Sequence, residues 1–148
     1  MSLADKVALV TGGSRGIGAA IAQSLSEAGA AVGLCARHLE AAVSVAKAIE
    51  ARGGRALAVE ADIGRAEDAD RVVAACLERY GRIDILVNNA GTTRDGLIVR
   101  MKDEDWDQVL AVHLDGAFRC ARAALRPMLK QKQGGRIINI GSVVGSMG

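Results

Sequence analysis

Eight residues near the start of the chain have the composition of a phosphate cradle: Thr11-Gly12-Gly13-Ser14-Arg15-Gly16-Ile17-Gly18. A bound phosphate needs backbone N–H groups that it can approach closely, and the start of a helix supplies them with the positive end of its dipole. Gly12 permits a turn out of a strand. Gly16 lets the backbone come up to a phosphate, and Gly18 lets the following helix pack against the sheet. The spacing Gly-x-x-x-Gly-x-Gly is neither Gly-x-Gly-x-x-Gly nor a Walker loop, which requires Gly-Lys-Ser/Thr. A glycine-rich turn without a ligand is the competing reading. The position of the loop, between an apolar run and an amphipathic segment, favours the phosphate.

Further polar residues stand where later apolar runs end. They are Arg37, Asp62-Ile63, Asn88-Asn89-Ala90-Gly91 and Ser142. Taken alone, Ser142 reads as a serine closing a strand in a turn, and no Gly-x-Ser-x-Gly elbow marks it as a nucleophile. Asp103-Glu104-Asp105 and Asp107 are explained by the preference of acids for a helix N-terminus, so no metal site is expected. Cys35, Cys76 and Cys120 are far apart and form no Cys-x-x-Cys. They read as small core hydrophobes in a reducing cytosol, not as zinc ligands or a disulfide framework.

The elements that must position these residues follow from periodicity. Lys6 to Thr11, Ala31 to Ala36, Ala56 to Ala61, Asp84 to Asn88 and Arg136 to Ile140 read as strands. Between them, Ile17/Ile21/Leu25/Ala28, Leu39/Val43/Ala46/Ile49 and Ala69/Val73/Cys76/Tyr80 recur at helical spacing, closed by Gly29, Gly53-Gly54 and Gly81. Asp103 to about Lys130 reads as two helices broken near Asp115-Gly116, with a kink at Pro127 and Trp106 as a packing anchor. Alternating strands and helices imply an α/β fold, a doubly wound parallel sheet in the order 3-2-1-4-5. Ligands of such sheets bind at the carboxyl ends of the strands, where Gly12, Asn89 and Ser142 fall.

Composition narrows the function classes. The chain has 148 residues, a net charge of +2 and only three aromatic residues, Tyr80, Trp106 and Phe118. Half the residues are hydrophobic, which supports a core and argues against disorder. Without a basic block or a stacking platform, nucleic acid is not an expected partner. Neither a signal peptide nor an apolar run of about 18 residues is present, so a cytoplasmic protein without a membrane span is expected.

The motifs together resemble the short-chain dehydrogenase/reductase family: TGGSRGIG, Asp62 after the third strand, NNAG at Asn88–Gly91, and Ile140-Gly141-Ser142 at the fifth strand. TTRDGLIVRMKDEDWDQV and GRIINIGSVVGSMG are similar in wording to a bacterial branch of it, the 3-oxoacyl-[acyl-carrier-protein] reductases. The resemblance implies a Rossmann-like domain over residues 1–148 and a nicotinamide cofactor held by Gly12 to Gly18, Asp62, Ile63, Asn89, Ala90 and Gly91. It also implies hydride transfer to a 3-ketoacyl thioester carried by acyl carrier protein or CoA. Ser142 would polarise the substrate carbonyl. A homotetramer would form through the helix at about Val112 to Lys130. Arg126, Lys130 and Lys132 could meet an acidic carrier protein, or simply form a solvated helix end.

An acid at the end of the second strand would bind an NAD ribose. Here Ala36 holds that place, and Arg37 follows it. With Arg15 it can meet a 2′-phosphate, which points to NADP(H). Ordinary solvated arginines are the alternative. In the resembling family a tyrosine, with a lysine four residues later, supplies the proton, and this chain ends at Gly148 without that pair. The expectation is a sheet truncated before its last strands and inactive alone. His113 stands where the family has an asparagine of the proton relay, so histidine could keep its backbone role or titrate; a satisfied helix histidine is the plain reading. Acetoacetyl-CoA or other carbonyl reductases, and a non-catalytic NADP-binding module, are the alternatives.

Overall fold

Each apolar run forms a strand, and each glycine-closed amphipathic segment forms a helix. The computed structural model describes residues 2–147. The order is β1 (Val7–Thr11), α1 (Gly16–Glu27), β2 (Ala31–Ala36), α2 (Leu39–Glu50), β3 (Arg55–Glu60), α3 (Ala66–Tyr80), β4 (Ile85–Asn88), α4 (Asp103–Leu110), α5 (Gly116–Lys130), β5 (Arg136–Asn139) and α6 (Val144–Met147). All strand pairs are parallel, and the sheet order is β3-β2-β1-β4-β5. Right-handed crossovers account for it: β2 and β3 extend the sheet one way from β1, then β4 and β5 the other.

The strand pleat divides the core into two layers. Leu9, Cys35 and Leu86 face α3 and α5, in a cluster with Val72, Cys76 and Cys120. Ala8, Val10, Val32, Leu34 and Val87 face α1 and α2. Because both faces of β1 are covered, all five of its residues are buried, and continuous apolar strands are what that arrangement selects. All three cysteines are free and buried, as their apolar surroundings in the sequence suggested.

Three local expectations change. Ile17 does not join the buried stripe of α1: it is 65% exposed, and the helix buries Gly18 and Ala22 instead. The segment from Asp103 to Lys130 is not broken, because a π-turn over Ala111–Asp115 joins α4 to α5. Gly116, read as a breaker, lies against Ile63, where a Cβ would come 2.9 Å from the Ile63 carbonyl oxygen. As expected, the helix runs to Lys130, with Pro127 inside its last turns. Trp106 is 58% exposed and anchors nothing, since α4 buries no residue. With Leu110, Leu114, Phe118, Leu125 and Leu129 it marks an exposed apolar stripe along α4 and α5.

The strands begin over a charged clasp. The buried Asp84 carboxylate accepts the Val7 N–H at 2.9 Å and the Arg82 guanidinium at 2.8 and 2.6 Å. Among the described residues β5 pairs on one side only, and Ile138 and Ile140 are exposed.

Candidate functional site

At the opposite end of the sheet, the carboxyl ends of β1, β2, β3 and β4 surround a cleft of about 550 Å³. This is the switch point, where the connections from β1 and β4 diverge and leave a crevice. Gly12, Ser14, Arg15, Gly16, Ile17 and Gly18 form one wall. Ala36 and Arg37 come from the end of β2, Asp62 and Ile63 from the end of β3, and Asn89, Ala90 and Gly91 from the end of β4. Twelve of the sequence-predicted residues therefore meet in one cavity. Gly13, Ser142 and His113 do not line it.

The glycine loop is held by its neighbours. The Asn89 side-chain amide donates to the carbonyls of Thr11 and Gly12 at 3.0 and 3.1 Å. The Thr11 hydroxyl accepts the N–H groups of Asn89 and Ala90 and donates to the Val87 carbonyl. Gly12 turns with φ +64°, and a Cβ there would lie 2.9 Å from the Ala90 Cα. Gly18 was expected to ease the packing of helix on sheet. Its close neighbours are in fact the Gly12 carbonyl and the Asn89 amide, so it seats α1 against the loop itself. Gly13 sits beneath the loop, against Leu34 of β2.

This loop suits an anion. The first N–H groups of a helix have no partner within it, and α1 begins with neither an acidic residue in its first turn nor a side-chain cap. Arg15 and Arg37 are exposed at the cleft, and neither forms an ion pair among the described residues. Asp62 Oδ1 accepts the Gly64 N–H at 3.0 Å, and the Asp62 N–H donates to Asp68 at 2.7 Å. Those bonds shape the turn that carries Asp62 to the cleft. Cys35 borders the cleft but is no reactive thiol, because burial, the largest influence, pushes its pKa up to about 12.

His113 stands behind the β4 wall, on the π-turn. Its Nε2 lies 3.0 Å from the Thr92 nitrogen and 2.8 Å from the Thr92 oxygen. One tautomer accepts the N–H, and the other donates to the carbonyl. A Cβ on Gly91 would meet the ring at 2.8 Å, so the glycine makes room for the imidazole. Ser142 is exposed beyond β5, its hydroxyl accepting the Val144 N–H at 3.3 Å. Tyr80, expected in the core, is half-buried. It ends α3, which returns from the cleft to the start of β4, so the tyrosine lies away from the cleft.

The model of the short chain dehydrogenases matches residues 6–148. The chain belongs to this family. A 3-oxoacyl-[acyl-carrier-protein] reductase of Synechocystis is 49% identical over 148 residues, covering 99% of this chain and 60% of the relative. The FabG reductase of Vibrio cholerae is 46% identical, covering all of this chain and 59% of its own. A metagenomic short-chain oxidoreductase solved in complex with NADP superposes with a TM-score of 0.92 at 41% identity, covering 98% of this chain and 66% of that one. A short-chain type dehydrogenase/reductase of Mycobacterium marinum gives 0.94 at 36% identity, with coverages of 98% and 59%. The chain thus spans about 60% of the length of the curated relatives it matches.

The short-chain dehydrogenase cleft also includes residues that the motifs did not reveal. Thr92, His38, Ala41 and Val112 line it. Only His38, next to Arg37 at a strand end, carried a signal in its position. The others are ordinary residues brought in by the fold.

Proposed function

We propose that this chain is the cofactor-binding part of an NADPH-dependent reductase of 3-ketoacyl thioesters. The observation that carries the cofactor choice is the pair of unpaired guanidiniums, Arg15 and Arg37, at a cleft whose β2 end offers Ala36 instead of an acid. A 2′-phosphate carries between one and two negative charges near pH 7, and charge-assisted bonds to arginine are its natural partners. The neighbour solved with NADP and the relatives named as 3-oxoacyl-[acyl-carrier-protein] reductases favour the same reading.

The first turn of α1 would hold the pyrophosphate, Asp62 and Ile63 the adenine end, and Asn89 to Gly91 the approach to the nicotinamide. When bound, the cofactor supplies the hydride. Ser142 would donate a hydrogen bond to the substrate carbonyl, which requires its hydroxyl to exchange its present place beside Val144 for the substrate. His113 would keep the Gly91–Thr92 backbone in place behind the reacting groups. The substrate is a 3-ketoacyl group on acyl carrier protein or CoA.

Reduction also needs a proton for the developing alkoxide. The chain has one tyrosine, Tyr80, and it lies away from the cleft. The 148 residues should therefore bind NADPH without reducing a ketone. That placement also favours a second reading, a non-catalytic NADP-binding module. Steady-state assay of the chain with a 3-ketoacyl thioester and NADPH tests the division. Absence of turnover is expected, and clear turnover would place the proton donor within these residues.

The exposed stripe from Trp106 to Leu129 supports a subunit interface through α4 and α5, and the resemblance makes that interface part of a homotetramer. Contiguous exposed apolar surface often marks an interface.

A further inference from the structure

Asp62 and Ile63 stand on a short turn between β3 and α3, and two helices grip that turn from different sides. From α3, the Asp68 carboxylate accepts the Asp62 N–H at 2.7 Å, and Arg71 pairs with Asp68 at 2.8 Å. Within the turn, Asp62 Oδ1 accepts the Gly64 N–H at 3.0 Å, and the Asp62 carbonyl accepts the Arg65 N–H at 2.9 Å. The second grip comes from α5. Arg119 Nη1 donates to the Gly64 carbonyl at 3.0 Å, and its Nη2 lies 3.4 Å from the Asp115 carboxylate one turn earlier. The Arg119 side chain is only 24% exposed. A Cβ on Gly64 would lie 3.4 Å from Val112 and 3.7 Å from Ala111, and Gly116 lies against Ile63. π-turns are rare and recur at functional sites; this one sets α5 against the turn that carries two cleft residues.

We infer that Arg119 is a positioning residue for the adenine end of the cofactor: it fixes the Gly64 carbonyl and through it aims the Asp62 carboxylate into the cleft. The inference rests on the reading of Asp62 and Ile63 as the adenine site. Arg119 does not line the cleft, so its effect passes through the turn. A guanidinium donating to a carbonyl makes a charge-assisted bond, about twice as strong as a neutral one, and Asp115 restricts where that guanidinium can go. With Oδ1 held by the Gly64 N–H, the Asp62 carboxylate keeps its second oxygen for the cleft. An ionised carboxylate only accepts. It can therefore take a bond from the exocyclic amino group of adenine, but not from the carbonyl oxygen that hypoxanthine carries at the same place. Without Arg119 the Gly64 carbonyl is released, and the aim of Asp62 is lost with it.

The test compares binding of NADPH and of its deamino analogue, in which hypoxanthine replaces adenine, to the 148-residue chain well below each variant's melting temperature. Wild type should prefer NADPH by about tenfold, the size of one hydrogen bond to a charged group. Arg119→Met keeps the apolar stem. It should cut that preference to about twofold by weakening NADPH, with the analogue nearly unchanged. Arg119→Lys should restore most of the preference, because its ammonium still donates to the Gly64 carbonyl. Arg122→Met removes a guanidinium that stacks on Phe118 of the same helix and should leave the preference at its wild-type value. If Arg119→Met folds poorly, Arg119→Gln, too short to reach the carbonyl, should show the same fall. A wild-type preference kept by the methionine or glutamine variant would reduce Arg119 to a purely structural role. If wild type itself does not distinguish the two cofactors, Asp62 does not read the adenine, and this inference fails with that reading.

Discussion

Thr11 and Asn89 hold each other through two hydrogen bonds: the Asn89 N–H donates to the Thr11 hydroxyl at 3.1 Å, and the Asn89 side-chain amide donates to the Thr11 carbonyl at 3.0 Å. One residue ends β1 and the other follows β4, so the pair fastens the glycine loop to the far wall of the cleft. Thr11→Val keeps the shape but leaves the N–H groups of Asn89 and Ala90 without their acceptor. Each unsatisfied buried group costs about 1–3 kcal/mol. Urea unfolding should show a loss of about 2–4 kcal/mol, with much of it restored by Thr11→Ser. A loss under about 0.5 kcal/mol would mean that the hydroxyl is replaceable.

Gly18→Ala places a methyl against the Gly12 carbonyl and the Asn89 amide. Both belong to the loop that the reading assigns to the pyrophosphate, so the backbone must shift there. Gly53, in the turn after α2, has nothing within 4 Å of a Cβ. At that position alanine meets only its positive φ, about 1–2 kcal/mol. Fluorescence titration should show NADPH binding lost in Gly18→Ala and retained in Gly53→Ala. Equal binding by both variants would separate the loop from the cofactor.

Acid should loosen the end of the sheet away from the cleft. Burial raises the pKa of Asp84, but the Arg82 guanidinium, the Val7 N–H and Lys6 outweigh it and hold the carboxyl below its ordinary value. A carboxyl so depressed stabilises the folded chain fully above its unfolded pKa of about 3.9. That contribution is lost as pH falls through the lower folded value. Asp84→Asn should be less stable than wild type at pH 7, and the gap should narrow below about pH 4. Parallel stability curves at all pH values would remove Asp84 from the acid response.

Self-association should accompany the exposed stripe on α4 and α5, together with the unpaired side of β5. Sedimentation of the 148-residue chain should show oligomers or aggregates, reduced by Leu114→Lys with Phe118→Lys. Leu114 is 63% and Phe118 60% exposed, so neither change disturbs the core. A monodisperse wild-type monomer with a cooperative melt would contradict this expectation.

The sheet was legible because burial on both faces turns a strand into a run such as Val7-Ala8-Leu9-Val10. Glycines marked the ends of α1, α2 and α3 correctly. The same rule misled at Gly116, where glycine serves a close approach to Ile63 within a continuing helix. Periodicity put Ile17 on the apolar stripe of α1 while the glycine motif put it at the cofactor, and the cleft takes it. Trp106 was read as an anchor by its type, since neither signal says which apolar residues a helix leaves for a ligand or another subunit. The cleft residues with motif spacing were readable. Ala41, Thr92 and Val112 were not, because only the crossing of elements brings them to it.

The most direct test of the cofactor assignment compares NADPH and NADH affinity for the 148-residue chain at pH 7, together with the Arg15→Ala and Arg37→Ala variants. The account predicts that NADPH binds the wild type at least about tenfold more tightly than NADH. Each variant should weaken NADPH binding and leave NADH binding unchanged. Equal affinities in the wild type, or tighter binding of NADH, would contradict it.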